Sequence, residues 1–286
     1  MTSTRSSRTA EAVLATDDYD GFGQNQSLSD PPLLESNHSE ILSEESPRPF
    51  KRIVGGKAVA AGEIPWQVVF VCRNIRNFVA TRRNVLLLSP REHNTDINEG
   101  TEQDYEVLEE QIHPRYNATL NLYNHDIALV HLKTPISFSA TVRPICIGPM
   151  AFIEALLQQS SSATVSGWGR TRFLGPASNI LQKIEVPFID QTECMKSSNE
   201  RITPVMFCAG YYDEYRDACQ GDSGGPHTNS FHGTWFLTGI VSWGEECAKE
   251  GKYGVYTRVS VYYSWIKHVM SVTKRRLAFD VEYLDS

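Results

Sequence analysis

The stretch Asp217-Ala-Cys-Gln-Gly-Asp-Ser-Gly-Gly-Pro226 decides the reading of this chain. Within it Ser223 reads as a nucleophile set in a tight turn. The flanking glycines let the backbone bend freely and leave the N–H groups of Gly221 and Ser223 open to hold an oxyanion. Outward from this turn the chain reads as all-β. From Ile53 onward, short alternating or β-branched runs are separated by Gly, Pro and Asn, the pattern of a barrel or sandwich. Expected strands include Ile127–Leu132, Ala163–Gly167, Trp235–Trp243 and Gly254–Val259. Only Val261–Met270 carries helical spacing, with Tyr262, Trp265, Ile266 and Val269 on one face.

The 286 residues suffice for one large two-barrel core. A hydrophobic share of 41%, a charged share of 21% and a net charge of -7 are ordinary for a globular protein and argue against nucleic acid as the main partner. No apolar run reaches the length of a membrane-spanning helix. Residues 1–52 form a different polymer, rich in Ser and Pro and acidic, with no Cys. They are expected to be a solvated, protease-accessible segment. The start, Met1 to Arg8, lacks the apolar core of a leader peptide, as expected of a fragment if the protein is extracellular. At Pro49-Phe-Lys-Arg-Ile-Val-Gly-Gly56 a basic pair meets a small apolar start, which marks a cleavage site after Arg52. Residues 271–286 form a charged tail.

Several strings now fall in one order: Ile53-Val-Gly-Gly56, Ile64-Pro-Trp-Gln67, Asn124-His-Asp-Ile-Ala-Leu129, Ser166-Gly-Trp-Gly169, Met206-Phe-Cys-Ala-Gly210, the Ser223 turn and Gly239-Ile-Val-Ser-Trp-Gly244. Over residues 53–67 and 92–270 the chain resembles the trypsin-like serine proteases, the clotting subgroup above all. The resemblance implies two antiparallel six-stranded β-barrels over residues 53–270, a cleft between them and a C-terminal helix. It further implies a secreted zymogen that cleaves protein substrates after Arg or Lys.

Residue by residue, the resemblance gives Asp126 the part of the triad carboxylate that orients an imidazole. Asp217 becomes the floor of the specificity pocket, walled by Ser242, Trp243, Gly244 and Gly254, where a carboxylate selects Arg or Lys. Cleavage after Arg52 frees an ammonium on Ile53 that inserts and pairs with Asp222, so the oxyanion turn is expected to organise only after the cut. The acidic loop from Glu92 resembles a calcium loop, with Glu92, Glu99 and Glu102 carboxylates and Asn94 and Ile97 carbonyls as oxygen ligands. Tyr253 matches the residue type that accompanies sodium in the clotting subgroup. Cys194/Cys208 and Cys219/Cys247 read as two disulfides, leaving Cys72 and Cys146. Cys146 is the position that ties related two-chain proteases to a light chain. Sequons at Asn25, Asn37 and Asn117 accord with secretion.

The likeness breaks at one place. Residues 68–91 share nothing with the family, and its Ala-Ala-His-Cys box is missing. The histidines stand at 38, 93, 113, 125, 131, 227, 232 and 268, none in the base's motif. His125, at the expected start of a strand, would point away from its neighbour Asp126. Ser223 is therefore expected to lack a general base, and the first barrel to be short of strands. The alternative reading is an inactive binding module of protease fold.

Overall fold

β-Branched and aromatic runs bounded by Gly, Pro and Asn become strands, and the strands gather into two antiparallel sheets. The computed structural model describes residues 11–14, 53–73, 85–90, 93–97, 99–100, 103–214 and 216–272. The first half of the chain contributes β1 (Glu11–Leu14), β2 (Lys57–Ala58), β3 (Val68–Arg73), β4 (Val85–Pro90), β5 (Tyr105–Ile112) and β6 (Ala128–Leu132). The second half contributes β7 (Ala163–Gly167), β8 (Gln182–Val186), β9 (Phe188–Ile189), β10 (Met206–Ala209), β11 (Pro226–Phe231), β12 (Thr234–Trp243) and β13 (Gly254–Arg258).

The larger sheet runs β2-β8-β7-β11-β12-β13-β10-β9. Its six longer strands match the expected barrel, with two-residue strands at either end. β8 lies near one end and β9 forms the other, yet only Pro187 separates them in the chain. The two ends therefore meet and the sheet curls into a barrel. Its interior packs Ile53, Leu157, Val165, Ile184, Val186, Phe207, Val241 and Tyr256. Fully burying each large side chain contributes roughly 1.5–3 kcal/mol.

The smaller sheet runs β1-β6-β5-β4-β3, five strands with no sixth among the described residues. The atypical block forms the hairpin β3–β4, paired from Val68↔Pro90 to Arg73↔Val85. Among the described residues its buried cluster holds Tyr105, Val130 and Leu132, with Val68, Val107 and Ile136 against them.

Three expectations need correction. Two helices join the expected one, α1 (Met150–Gln159) and α2 (Gln191–Ser197). In α1 the buried Ile153, Leu156 and Leu157 do repeat at helical spacing, but no side chain caps its start and no charge marks its ends. In α2 the Asp190 side chain caps the helix by accepting from Thr192 N, and Cys194 anchors it. Second, within the segment expected to be solvated throughout, Glu11–Leu14 pairs with β6. Third, β6 begins at Ala128 and His125 has φ 58°, so strand alternation does not govern where the His125 ring points. The C-terminal helix, α3, runs over 263–272 after a 3₁₀ turn at Val259–Tyr262. Tyr262, Ile266 and Val269 are buried, with Trp265 packed against them. The remaining tail, 273–286, lies outside the described residues, as does most of 1–52.

Candidate active site

β12 and β13 shape the pocket. Their register skips one residue: Val241 faces Tyr256 and Trp243 faces Val255, so Ser242 is the extra residue of a bulge. The bulge frees Ser242 from the ladder, and its Oγ donates to Asp126 Oδ2 at 2.5 Å. Asp126 is 1% exposed, and its carbonyl accepts from Thr257 Oγ1 at 2.7 Å. The triad carboxylate inferred from the sequence is thus locked to the wall of the pocket inferred from the sequence.

That pocket is a cavity of about 200 Å³ whose lining includes Asp217, Ser223, Ser242, Trp243, Gly244 and Gly254. Asp217 is buried at 5% exposure. Its Oδ2 accepts from Ala248 N at 3.0 Å, while Oδ1 is buried with no partner among the described residues. A Cβ at position 254 would come 2.9 Å from Oδ1, so glycine keeps the carboxylate open to the cavity. The Cys219–Cys247 disulfide flanks the pocket, and Cys194–Cys208 pins α2 to β10, both as expected. Tyr123 also lines the cavity and stacks on Trp243 at 4.8 Å. Nothing in the sequence marked Tyr123, because the contact joins distant segments.

In the Ser223 turn, Asp222 N donates to Cys219 O, Gly224 N to Val241 O and Gly225 N to Asp222 O. Among the described residues, the N–H groups of Gly221 and Ser223 have no acceptor, and Gly221 sits at φ 91°. These are the two donors expected of an oxyanion hole. The Ser223 Oγ likewise makes no hydrogen bond among the described residues.

Asp222 is buried at 1% exposure and accepts from Gly169 N at 2.8 Å and Cys219 N at 2.9 Å. A Cβ on Gly167 or Gly169 would strike its carboxylate at 2.1 or 2.4 Å, which explains both glycines of the Ser-Gly-Trp-Gly string. Ile53, expected inside only after cleavage, is already fully buried in the intact chain. The chain doubles back at Ile53 with φ 40°, uncommon for a β-branched residue, and Val54 bridges to Asp217. Arg52 itself lies outside the described residues.

Burial raises Asp222 to about 6, against the opposing N–H bonds from Cys219 and Gly169. Burial likewise raises Asp217 to about 7, opposed by the N–H groups of Ala248 and Ala218 and assisted by the nearby Asp222 charge. Between the ordinary carboxylate value and about 6, folded Asp222 keeps a proton that the unfolded chain has released. Its contribution to stability is therefore present at low pH, falls as pH rises through that window and is level above it. A shift of about two units corresponds to about 3 kcal/mol. Denaturant melts of the intact chain at about pH 4.5 and about pH 6.5 span most of that window and should show about 2 kcal/mol of it, a part of the pH dependence that Asp222→Asn lacks. Equal slopes in both proteins would exclude the raised Asp222.

Among the described residues, no histidine is placed to act as a base. His125 Nδ1 lies 3.0 Å from the Tyr262 hydroxyl, and its ring stacks on His113 at 5.1 Å. His227 is buried, with Nδ1 2.8 Å from Thr238 Oγ1. None of the seven described histidines hydrogen-bonds Ser223; His38 lies outside the described residues.

Of the expected calcium ligands, Asn94, Ile97 and Glu99 are described, while Glu92 and Glu102 lie outside. Asn94 O accepts from Ile97 N, Asn94 Oδ1 from Asp96 N, and Thr95 N donates to Asn179 O, so the turn is anchored to the larger sheet's side of the molecule. A carbonyl with a turn bond retains a second lone pair, and an all-oxygen set suits calcium. Among the described residues no group of three or more His, Cys, Asp or Glu gathers to hold a metal. Beside Tyr253, the Lys252 ammonium bonds Ser197 O and pairs with Glu245. Cys146 is exposed and unbridged. Asn117 sits exposed in a turn, its Oδ1 accepting from Thr119 Oγ1 at 2.7 Å and from Thr119 N at 3.1 Å.

Two antiparallel sheets, a Ser223 turn with open N–H groups and a carboxylate-floored pocket are features of a trypsin-type serine endopeptidase. The Trypsin family matches residues 53–266, and the chain belongs to that family. It is similar to coagulation factor IX of Cavia porcellus, 42% identical over 241 residues that cover 78% of this chain and 84% of the relative. It is also similar to coagulation factor IX of Oryctolagus cuniculus, 39% identical over 271 residues covering 90% of this chain and 95% of the relative. The latter coverage exceeds what residues 53–286 can hold, so the likeness extends into the N-terminal segment.

Proposed function

We propose that the chain is a secreted, coagulation-type serine endopeptidase precursor, cut after Arg52, that reads Arg or Lys at the bond of a protein substrate. The observation that carries this reading is Asp217 Oδ1, buried with no partner among the described residues at the floor of a pocket whose lining includes Ser223. A guanidinium would pair with that carboxylate. The scissile carbonyl oxygen would then meet the Gly221 and Ser223 N–H groups, with Ser223 Oγ beside the carbonyl carbon. Asp126 is the triad carboxylate of this reading, and the Ile53 ammonium freed by cleavage pairs with Asp222. One observation favours the second reading, a binding module: no described histidine reaches Ser223. Both readings require the same pocket.

Around this centre, Cys146 is the site of attachment to a light chain, supported by its exposure, and Asn117 carries a glycan, supported by its exposed turn. Asn25 and Asn37 are further acceptors, outside the described residues. Calcium, where bound, neutralises the acidic loop through Glu92, Asn94, Ile97, Glu99 and Glu102. Millimolar calcium should then raise the melting temperature of the chain, by the linkage that stabilises any state binding a ligand. An unchanged melt, with Glu92→Gln and Glu102→Gln indistinguishable from the parent, counts against the loop.

The fluorescent amidine p-aminobenzamidine tests the pocket. It should bind the cut chain, and peptides bearing Arg should displace it while those bearing Phe or Ala do not. Preference for the apolar peptides would refute the assignment.

A further inference from the structure

We infer that Glu11–Leu14 is a tethered edge strand: the N-terminal segment covers the open side of the smaller sheet along β6, and the bond after Arg52 is the tether whose cleavage frees it. The tether half rests on the activation reading above; the strand half does not.

β1 pairs antiparallel with β6 over its whole length, Glu11↔His131, Ala12↔Val130, Val13↔Leu129 and Leu14↔Ala128. On its other side β6 pairs with β5 from Val107↔Leu132 to Ile112↔Ala128. Without β1, β6 would be the edge of the sheet. It is ill suited to that place, because all five of its residues are buried and it carries no Lys, Pro or bulge on that side. Edge strands of this kind invite pairing with another chain. The strand also begins just after Asp126 and Ile127, so the order of β6 bears directly on the triad carboxylate.

Residues 1–52 contain no cysteine, so no disulfide can retain them once the bond after Arg52 is cut. In the intact chain the covalent connection holds the strand at an effective concentration on the order of millimolar. After the cut it competes only at the bulk concentration of the protein, and a four-residue ladder is too short to persist there. Cleavage would therefore seat the Ile53 ammonium and open the β6 edge together.

Hydrogen exchange of the full-length chain, followed by mass spectrometry over residues 128–132, tests this. Adjacent residues of an edge strand alternate in facing their partner, so the double variant Ala12→Pro/Val13→Pro removes a ladder donor whichever of the two supplies it and should speed exchange there on the order of tenfold, while residues 226–243 of the larger barrel keep their protection as the folding control. Cutting after Arg52 and removing the freed peptide should do the same, and a synthetic peptide of residues 8–18 at roughly millimolar concentration should restore protection. Unchanged exchange in Ala12→Pro/Val13→Pro, with folding intact, overturns the strand. Protection that survives cutting and desalting overturns the tether. If the activating protease leaves the bond after Arg52 intact while Ala12→Pro/Val13→Pro acts, the activation reading fails and the strand stands.

Discussion

Cut after Arg52, the chain should hydrolyse an arginine amide about a millionfold more slowly than a protease with a complete triad, a deficit of about 8 kcal/mol. Ser223→Ala should leave that residual rate within roughly tenfold, because nucleophile and base act as a unit and losing either forfeits nearly all that both supply. The physical ground is the isolation of Ser223. Its Oγ has no hydrogen bond among the described residues, and seven of the eight histidines are placed elsewhere, with His125 held by Tyr262 and His113. Asp126 is ready to steady an imidazole but its Oδ2 takes the Ser242 hydroxyl. What remains is the pair of open N–H groups and the pocket, which together give about 10³ to 10⁴ over water in a comparable enzyme. Turnover of an arginine p-nitroanilide by parent and variant, with fluorophosphonate labelling alongside, measures both. Family-level turnover that disappears in Ser223→Ala would mean that a base reaches the site, and His38 is the histidine left to supply it.

The legible part of the site is the part carried by contiguous strings. The Ser223 turn, Asp217 six residues before it and the Ser242–Gly244 wall were readable because turn and pocket demand particular residues at fixed offsets. Both disulfides followed in the same way. The strands β7, β12 and β13 were readable from β-branched runs, to within a residue at their ends. What escaped depends on contacts between distant segments. The bulge that aims Ser242 at Asp126 is a property of register, not of residue type. Gly169 looks like a turn glycine until Asp222 is placed against it. Ile53 enters the core of the intact chain because the backbone reverses at a positive φ that no rule for isoleucine anticipates. β1 was hidden for a related reason. Four residues in an acidic, Ser-rich stretch carry no strand signal of their own and form a ladder only because β6 presents an unpaired side.

Asp217→Ser should weaken amidine binding by roughly a hundredfold or more, since truncating one partner of a buried charge pair costs about 2–5 kcal/mol. The parent's affinity should in turn depend on pH with a sign fixed by burial. In the empty pocket Asp217 is raised to about 7, so at pH 6 most molecules hold a proton on it. An amidinium pairs only with the carboxylate, and binding there must expel that proton. Affinity should therefore climb as pH rises toward about 7, by up to tenfold per unit, and level off above it. Calorimetry near pH 6 in two buffers of different ionisation heat should register release of close to one proton per ligand, and none near pH 8.5. Asp217→Asn separates charge from shape: it keeps the side chain's outline and should lose both the affinity and the pH dependence. Removing the charge should not unfold the chain, because a desolvated carboxylate with one oxygen unpartnered among the described residues opposes folding at neutral pH. An Asp217→Asn protein that melts like the parent yet binds amidines equally well would place the recognition of basic side chains somewhere other than this pocket.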